Sequence, residues 1–241
     1  VSDLAAPTDR LRPSEQPWGL GEVALGFLLA QALAVVATSI AIVAAGWDDS
    51  DAIPLWAAAL LQIPLWAGYL TAVGIAGRKG RGVVEDFGLD VRVRDLVGLP
   101  IGVVVQLVVL PLLYFPILEL TSYTDDDLAA PARALSDKAS GPVGWILLGL
   151  IVVVGAPIVE ELFFRGLFLR ALQKRGLPDW ASILICGAVF GAVHFQFLQF
   201  PGLFVIGVVL SWMAVRTGRL GLPILTHVGF NATSVVLLYL T

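Results

Sequence analysis

Long apolar runs separated by short polar connections set the plan of this chain. The runs cover Val23 to Ala45, Pro54 to Ala76, Leu96 to Leu118, a stretch from Val143 to Arg170, Trp180 to Leu198, Leu203 to Val215 and Leu222 to Leu240. Apolar runs of about 20 residues match the hydrocarbon thickness of a bilayer, so these predict about seven spanning helices. The expected fold class is all-α, a polytopic integral membrane helical bundle; interfacial helices would bring the count to about eight, and the short sixth run leaves a re-entrant segment open. Pro64 in the second run and Pro100, Pro111 and Pro116 in the third predict kinks that neighbouring helices must accommodate. Between Thr121 and Gly141, three aspartates (Asp125, Asp126, Asp127) precede LAAPARALSDK, a pattern for a short surface helix. Three regions follow: a polar tail over 1–18, N-terminal transmembrane helices over 19–140, and a membrane domain over 141–241 that holds nearly all the intramembrane polar chemistry.

Composition sharpens this picture. At 58% hydrophobic and 14% charged over 241 residues, with mean hydropathy +0.87, the chain is too apolar for a soluble globular domain, where charged residues make up about 25%. A net charge of −4 and a pI near 5.1 exclude a nucleic-acid binder, which needs a basic face. The single cysteine, Cys186, permits no intrachain disulfide and no cysteine metal cluster. The opening segment is polar and acidic and shows no secretory signal pattern. Basic residues recur in alternate connections: Arg10 and Arg12, then Arg78, Lys79 and Arg81, then Arg170, Lys174 and Arg175, then Arg216 and Arg219. Positive-inside bias therefore predicts a multi-pass protein of the cell membrane with a cytoplasmic N-terminus.

Ionisable groups at membrane depth cost free energy and mark sites. Glu160 and Glu161 stand inside the fourth run. Arg165 follows Glu161 at i,i+4, the favourable order for an ion pair along one helix, so Glu161 and Arg165 are expected to pair. Adjacent helical residues diverge by about 100°, which aims Glu160 at another helix as a candidate general base. The two histidines, His194 and His227, both lie in late apolar runs, and Asn231 stands four residues after His227 on the same helical face. Gly187 and Gly191 precede His194 on one face and permit close approach of a neighbouring helix. Glu160, His194 and His227 could bind a divalent metal such as zinc and activate its water, or perform acid–base work without one. Depths agree best if the fourth span ends near Arg165 and residues 166–175 lie along the interface as a basic amphipathic helix.

EELFFR over Glu160 to Arg165, FxxxH from Phe190 to His194, and HxxxN from His227 to Asn231 appear in that order. In this combination the stretch from about Gly141 to Tyr239 resembles the CPBP family of CAAX-protease and bacteriocin-processing intramembrane endopeptidases, which includes Rce1- and Abi-type membrane proteins. The resemblance implies hydrolysis of a peptide bond in a membrane-associated protein or peptide substrate, with the lipid bilayer as its setting. It implies Glu160 as general base, His194 orienting the water or a metal, His227 and Asn231 stabilising the oxyanion, and Glu161, Arg165 and Phe190 as structural support. Two rival readings are a proton- or ion-coupled transporter and a non-catalytic bacteriocin-immunity or scaffold protein. Confinement of the polar residues to one half of the chain argues against paired transporter repeats, and the intact residue set argues against an inactive scaffold.

Overall fold

The computed structural model describes residues 15–48 and 52–240; Arg10 and Arg12 of the tail and Asp49, Ser50 and Asp51 of the acidic turn lie outside them. Among the described residues it contains nine helices and no strand. They are α1 (Leu20–Ala45), α2 (Leu55–Lys79), α3 (Val83–Phe87), α4 (Val93–Leu120), α5 (Asp125–Ser136), α6 (Gly141–Lys174), α7 (Asp179–Ala192), α8 (Phe200–Thr217) and α9 (Gly221–Leu240). Six of these, α1, α2, α4, α6, α8 and α9, are long and apolar enough to cross a membrane, whereas α7 has only 14 residues. The protein is a multi-pass membrane protein. The surface helix expected after the third span is α5; Thr124 caps it, and hydrogen bonds from the Thr124 hydroxyl and amide hold the Asp127 carboxyl below its usual range.

Basic connections meet at one end of the bundle. Lys174 donates to the Trp18 carbonyl, and Arg170 donates to the carbonyls of Asp86, Phe87 and Gly218. Arg219 makes a bidentate pair with Asp95 at 2.7 and 2.9 Å. At the opposite end Lys138 donates to the Ile53 carbonyl, and Gln199 ties the α7–α8 turn to the carbonyls of Asp127 and Leu128 in α5. The described basic connections therefore share one end, as the loop charges predict.

Three expectations need correction. The fifth run does not continue to Leu198: α7 stops at Ala192 and the chain turns over residues 193–199. At the stop the His194 ring nitrogen Nδ1 bonds the Phe190 carbonyl at 2.7 Å, the His194 N–H bonds the Gly191 carbonyl, and Phe195 turns to a positive φ of 55°. The sixth run is longer than expected, a full spanning helix of 18 residues. The segment after Arg165 does not peel away along the interface. α6 continues for 34 residues, about 51 Å at 1.5 Å per residue, and Gly166, Leu167, Phe168, Leu169, Ala171 and Leu172 are buried in protein. Glu160 then lies about 21 Å from Lys174, and His194 a similar distance from Asp179, so the two depths agree without an interfacial bend.

Close contacts between small residues hold the bundle. A Cβ on Gly68 would stand 2.2 Å from the Ala30 Cα, and one on Gly187 would stand 2.9 Å from the Val208 backbone nitrogen, so α1–α2 and α7–α8 touch backbone to backbone. The close partner that Gly187 and Gly191 admit is α8. Gly68→Ala should force α1 from α2 and lower stability by about 1–3 kcal/mol. Gly74→Ala, whose Cβ would meet nothing within 4 Å, should leave the melting temperature in detergent equal or slightly higher. Equal melts for both variants would contradict this packing.

Candidate active site

Three helices and one turn place the polar residues around a cavity of about 360 Å³, which Glu160, Phe190, His194, His227 and Asn231 all line. The α6 segment that presents Glu160 is not uniform. A single α-helical turn over Ala156–Glu160 is flanked by wider π-helical stretches at Leu150–Gly155 and Glu161–Phe168. In the first stretch the Ala156 N–H bonds the Ile151 carbonyl, five residues back. The next donor in that series would be residue 157, but it is proline and has no N–H. The Val152 carbonyl is thereby released, and the Asn231 carboxamide donates to it at 2.7 Å. Pro111 follows the π turn at Val105–Val109 of α4 in the same way.

Glu161 and Arg165 pair as expected, at 2.7 Å and with no solvent exposure. Arg165 also donates to the Ser211 hydroxyl and the Gly207 carbonyl of α8, and its guanidinium lies 4.4 Å above the Phe190 ring. Sequence reasoning missed a third partner: His227 Nδ1 lies 3.0 Å from the same Glu161 oxygen that receives Arg165. No spacing rule within one helix reveals it, because the contact crosses from α6 to α9. The other oxygen, Oε2, is buried without a hydrogen-bond partner.

These contacts fix both imidazoles. A carboxylate and a carbonyl can only accept, so His227 donates from Nδ1 to Glu161 and His194 donates from Nδ1 to the Phe190 carbonyl. In each ring Nε2 is left available. His227 Nε2 is 3.8 Å from Glu160 Oε2, too long for a direct hydrogen bond, so the two groups face one another across the cavity. Glu160 is 21% exposed, whereas Glu161 is completely enclosed. Phe190 packs edge-on against His194 and His227, with ring centroids 5.0 and 5.8 Å apart, so one ring spaces both imidazoles and carries Arg165 above it.

Among the described residues no three His, Cys, Asp or Glu side chains come together as a metal-holding group. As placed, Glu160, His194 and His227 do not form a zinc triad.

Residues 142–233 match the family described as "Type II CAAX prenyl endopeptidase Rce1-like". This segment is similar to the Rce1-like family. Over 121 residues the chain is 35% identical to an "Uncharacterized 24.3 kDa protein" of Escherichia coli, covering 46% of this chain and 54% of the relative. Over 91 residues it is 28% identical to the "Putative membrane peptidase YdiL" of Bacillus subtilis, covering 38% of this chain and 37% of the relative. The alignments thus span about half or less of these relatives. No solved structure matches the chain. The Rce1-like segment contains the glutamate pair, both histidines and Asn231, but not the whole cavity wall. Gln31 of α1 and Gln62, Trp66 and Tyr69 of α2 also line it, and the Tyr69 hydroxyl bonds Gln31 within electrostatic reach of Glu160.

The two glutamates should separate experimentally. Glu161→Gln leaves Arg165 enclosed without its counter-charge and should cost about 3–5 kcal/mol in thermal or denaturant melts. Glu160→Gln, on the cavity surface, should stay within about 0.5 kcal/mol of the parent. The reverse order of stabilities would overturn the assignment.

Proposed function

We propose that this protein is an intramembrane endopeptidase that hydrolyses a peptide bond of a membrane-associated protein or peptide, with Glu160 as the base that activates water. The observation that carries this reading is the His227 ring, held by Glu161 and facing Glu160 across 3.8 Å inside the cavity of the Rce1-like segment. Water bound to Glu160 presents its second hydrogen to His194 Nε2, whose lone pair is left available because Nδ1 bonds the Phe190 carbonyl. As the water oxygen forms its bond to the scissile carbonyl carbon, its proton passes to Glu160. His227, held at Nδ1 by Glu161, turns its Nε2 edge to the oxygen on which charge develops and is its hydrogen-bond partner in the transition state. Asn231 donates one amide hydrogen to Val152 and has its second for the same oxygen. Glu160 then returns the proton to the departing amine as the C–N bond breaks. With the basic connections inside, the N-terminus is cytoplasmic and the bilayer is the cell membrane.

Turnover of a membrane-anchored reporter peptide by purified protein tests the reading. Glu160→Gln, His194→Ala and His227→Ala should each abolish activity nearly as fully as the combined variant, since residues that act as a unit are non-additive. Asn231→Ala should cost on the order of 10² to 10³ in rate, the typical loss for one oxyanion donor. Full turnover by both histidine variants would end the shared-site reading, and Glu160-dependent ion flux in liposomes would favour a transporter. A chelator that stops the reaction, with recovery on adding zinc, would show that a metal takes part.

Pro157→Ala gives a sharper check on Asn231. The new N–H competes for the Val152 carbonyl and releases the carboxamide, so turnover should fall into the Asn231→Ala range without loss of stability. The double variant should fall no further than Asn231→Ala alone, because both changes act on one hydrogen bond.

A further inference from the structure

The cavity is walled by buried side chains towards one end of the bundle and extends towards the other. Towards the basic end, the residues that follow Glu160 on α6 are buried without a break from Glu161 to Leu169, and Trp18, Phe87 and Leu220 are buried there as well. Towards the opposite end, the cavity wall includes Leu55 at the start of α2 and Leu135 of α5. A second cavity of about 280 Å³ adjoins it there, sharing Ala58, Gln62 and Leu65 and adding Thr38 and Lys138.

Polar groups follow this line. Gln31 and Thr38 are seven residues apart on α1, and Gln62 and Tyr69 are seven apart on α2, so each pair lies on one helical face. The two faces meet along the shared wall: Gln31, Gln62 and Tyr69 border the site cavity, and Gln62, Thr38 and Lys138 border the adjoining one. Lys138 donates to the Ile53 carbonyl at the rim. Uncharged amides and hydroxyls inside spanning helices are tolerated when they meet protein or water, and here they lead from the surface to the carboxylate that needs water.

We propose that Gln31, Gln62 and Thr38 line a hydrated route, opening beside Lys138, which brings water to Glu160 from the face opposite the basic loops. The use of that water rests on the peptidase reading; the side from which it enters does not. With the basic loops inside, the route opens on the outer face, and the α1–α2 hairpin, which lies outside the Rce1-like segment, acts as the site's connection to solvent.

Thiol labelling of full-length protein tests the route. In a Cys186→Ala background, Thr38→Cys, Gln62→Cys, Ile63→Cys and Arg175→Cys are each exposed to a small, charged, membrane-impermeant methanethiosulfonate, in intact cells and in inverted vesicles. Ile63 is an exposed position on the same helix that borders neither cavity, and Arg175 marks the basic end. Thr38→Cys and Gln62→Cys should react from the side opposite to Arg175→Cys, and faster than Ile63→Cys. Reaction from the Arg175 side, or no faster than Ile63→Cys, would overturn the route. The adduct at Gln62→Cys should lower kcat by about tenfold or more with little change in KM, the sign of a lost step in turnover and not of lost binding; an adduct that leaves kcat intact would also overturn it. Labelling requires no turnover. An inactive parent protein with far-side labelling would therefore sink the peptidase reading alone, and an active parent with basic-side labelling would sink the route alone.

Discussion

The enclosed pair of Glu161 and Arg165 is the contact on which the rest of the site depends. Two opposite charges with no solvent exposure are tolerated only when almost every polar atom is used, and here the surplus donors of Arg165 reach Ser211 and Gly207 of α8 while its flat face rests on Phe190 of α7. The same carboxylate oxygen holds His227 of α9. One ion pair therefore draws four helices to a common point and sets the angle of an imidazole.

Departures from regular helix do comparable work. α6 widens into π turns on both sides of Glu160, and Pro157 turns the irregularity into an acceptor for Asn231. α7 ends where the His194 ring bonds the Phe190 carbonyl. Asn231 and His194 are thus both held by backbone carbonyls at irregular points of a helix. That satisfies buried backbone groups where water is scarce and fixes direction together with position.

Much of this was legible in the sequence, for reasons that particular residues make plain. Spanning helices follow from long apolar runs, and the Glu161–Arg165 pair follows from four-residue spacing along one helix. The end of α7 did not, because Gly187 to Leu198 is apolar almost throughout and carries no proline or glycine at the point where the helix stops. Nor did the bond between Glu161 and His227, which lie 66 residues apart on separate helices. Gln31 and Gln62 escaped notice because, unlike Asn231, neither stands one helical turn from an ionisable residue. The expected interfacial segment after Arg165 failed because its basic residues reach back over other connections, Arg170 to Asp86, Phe87 and Gly218 and Lys174 to Trp18, so the helix beneath them stays inside.

His194 carries two demands that usually fall on different residues. Its Nδ1 donates over a short arc to a carbonyl one turn back, at the point where α7 gives way to the turn, and the opposite edge of the same rigid ring must offer a lone pair to the cavity. Serine could bond a carbonyl one turn back, as Ser211 and Ser234 do, but would have no second edge to present to the cavity. Folding and chemistry are coupled at this position through the width of a single five-membered ring.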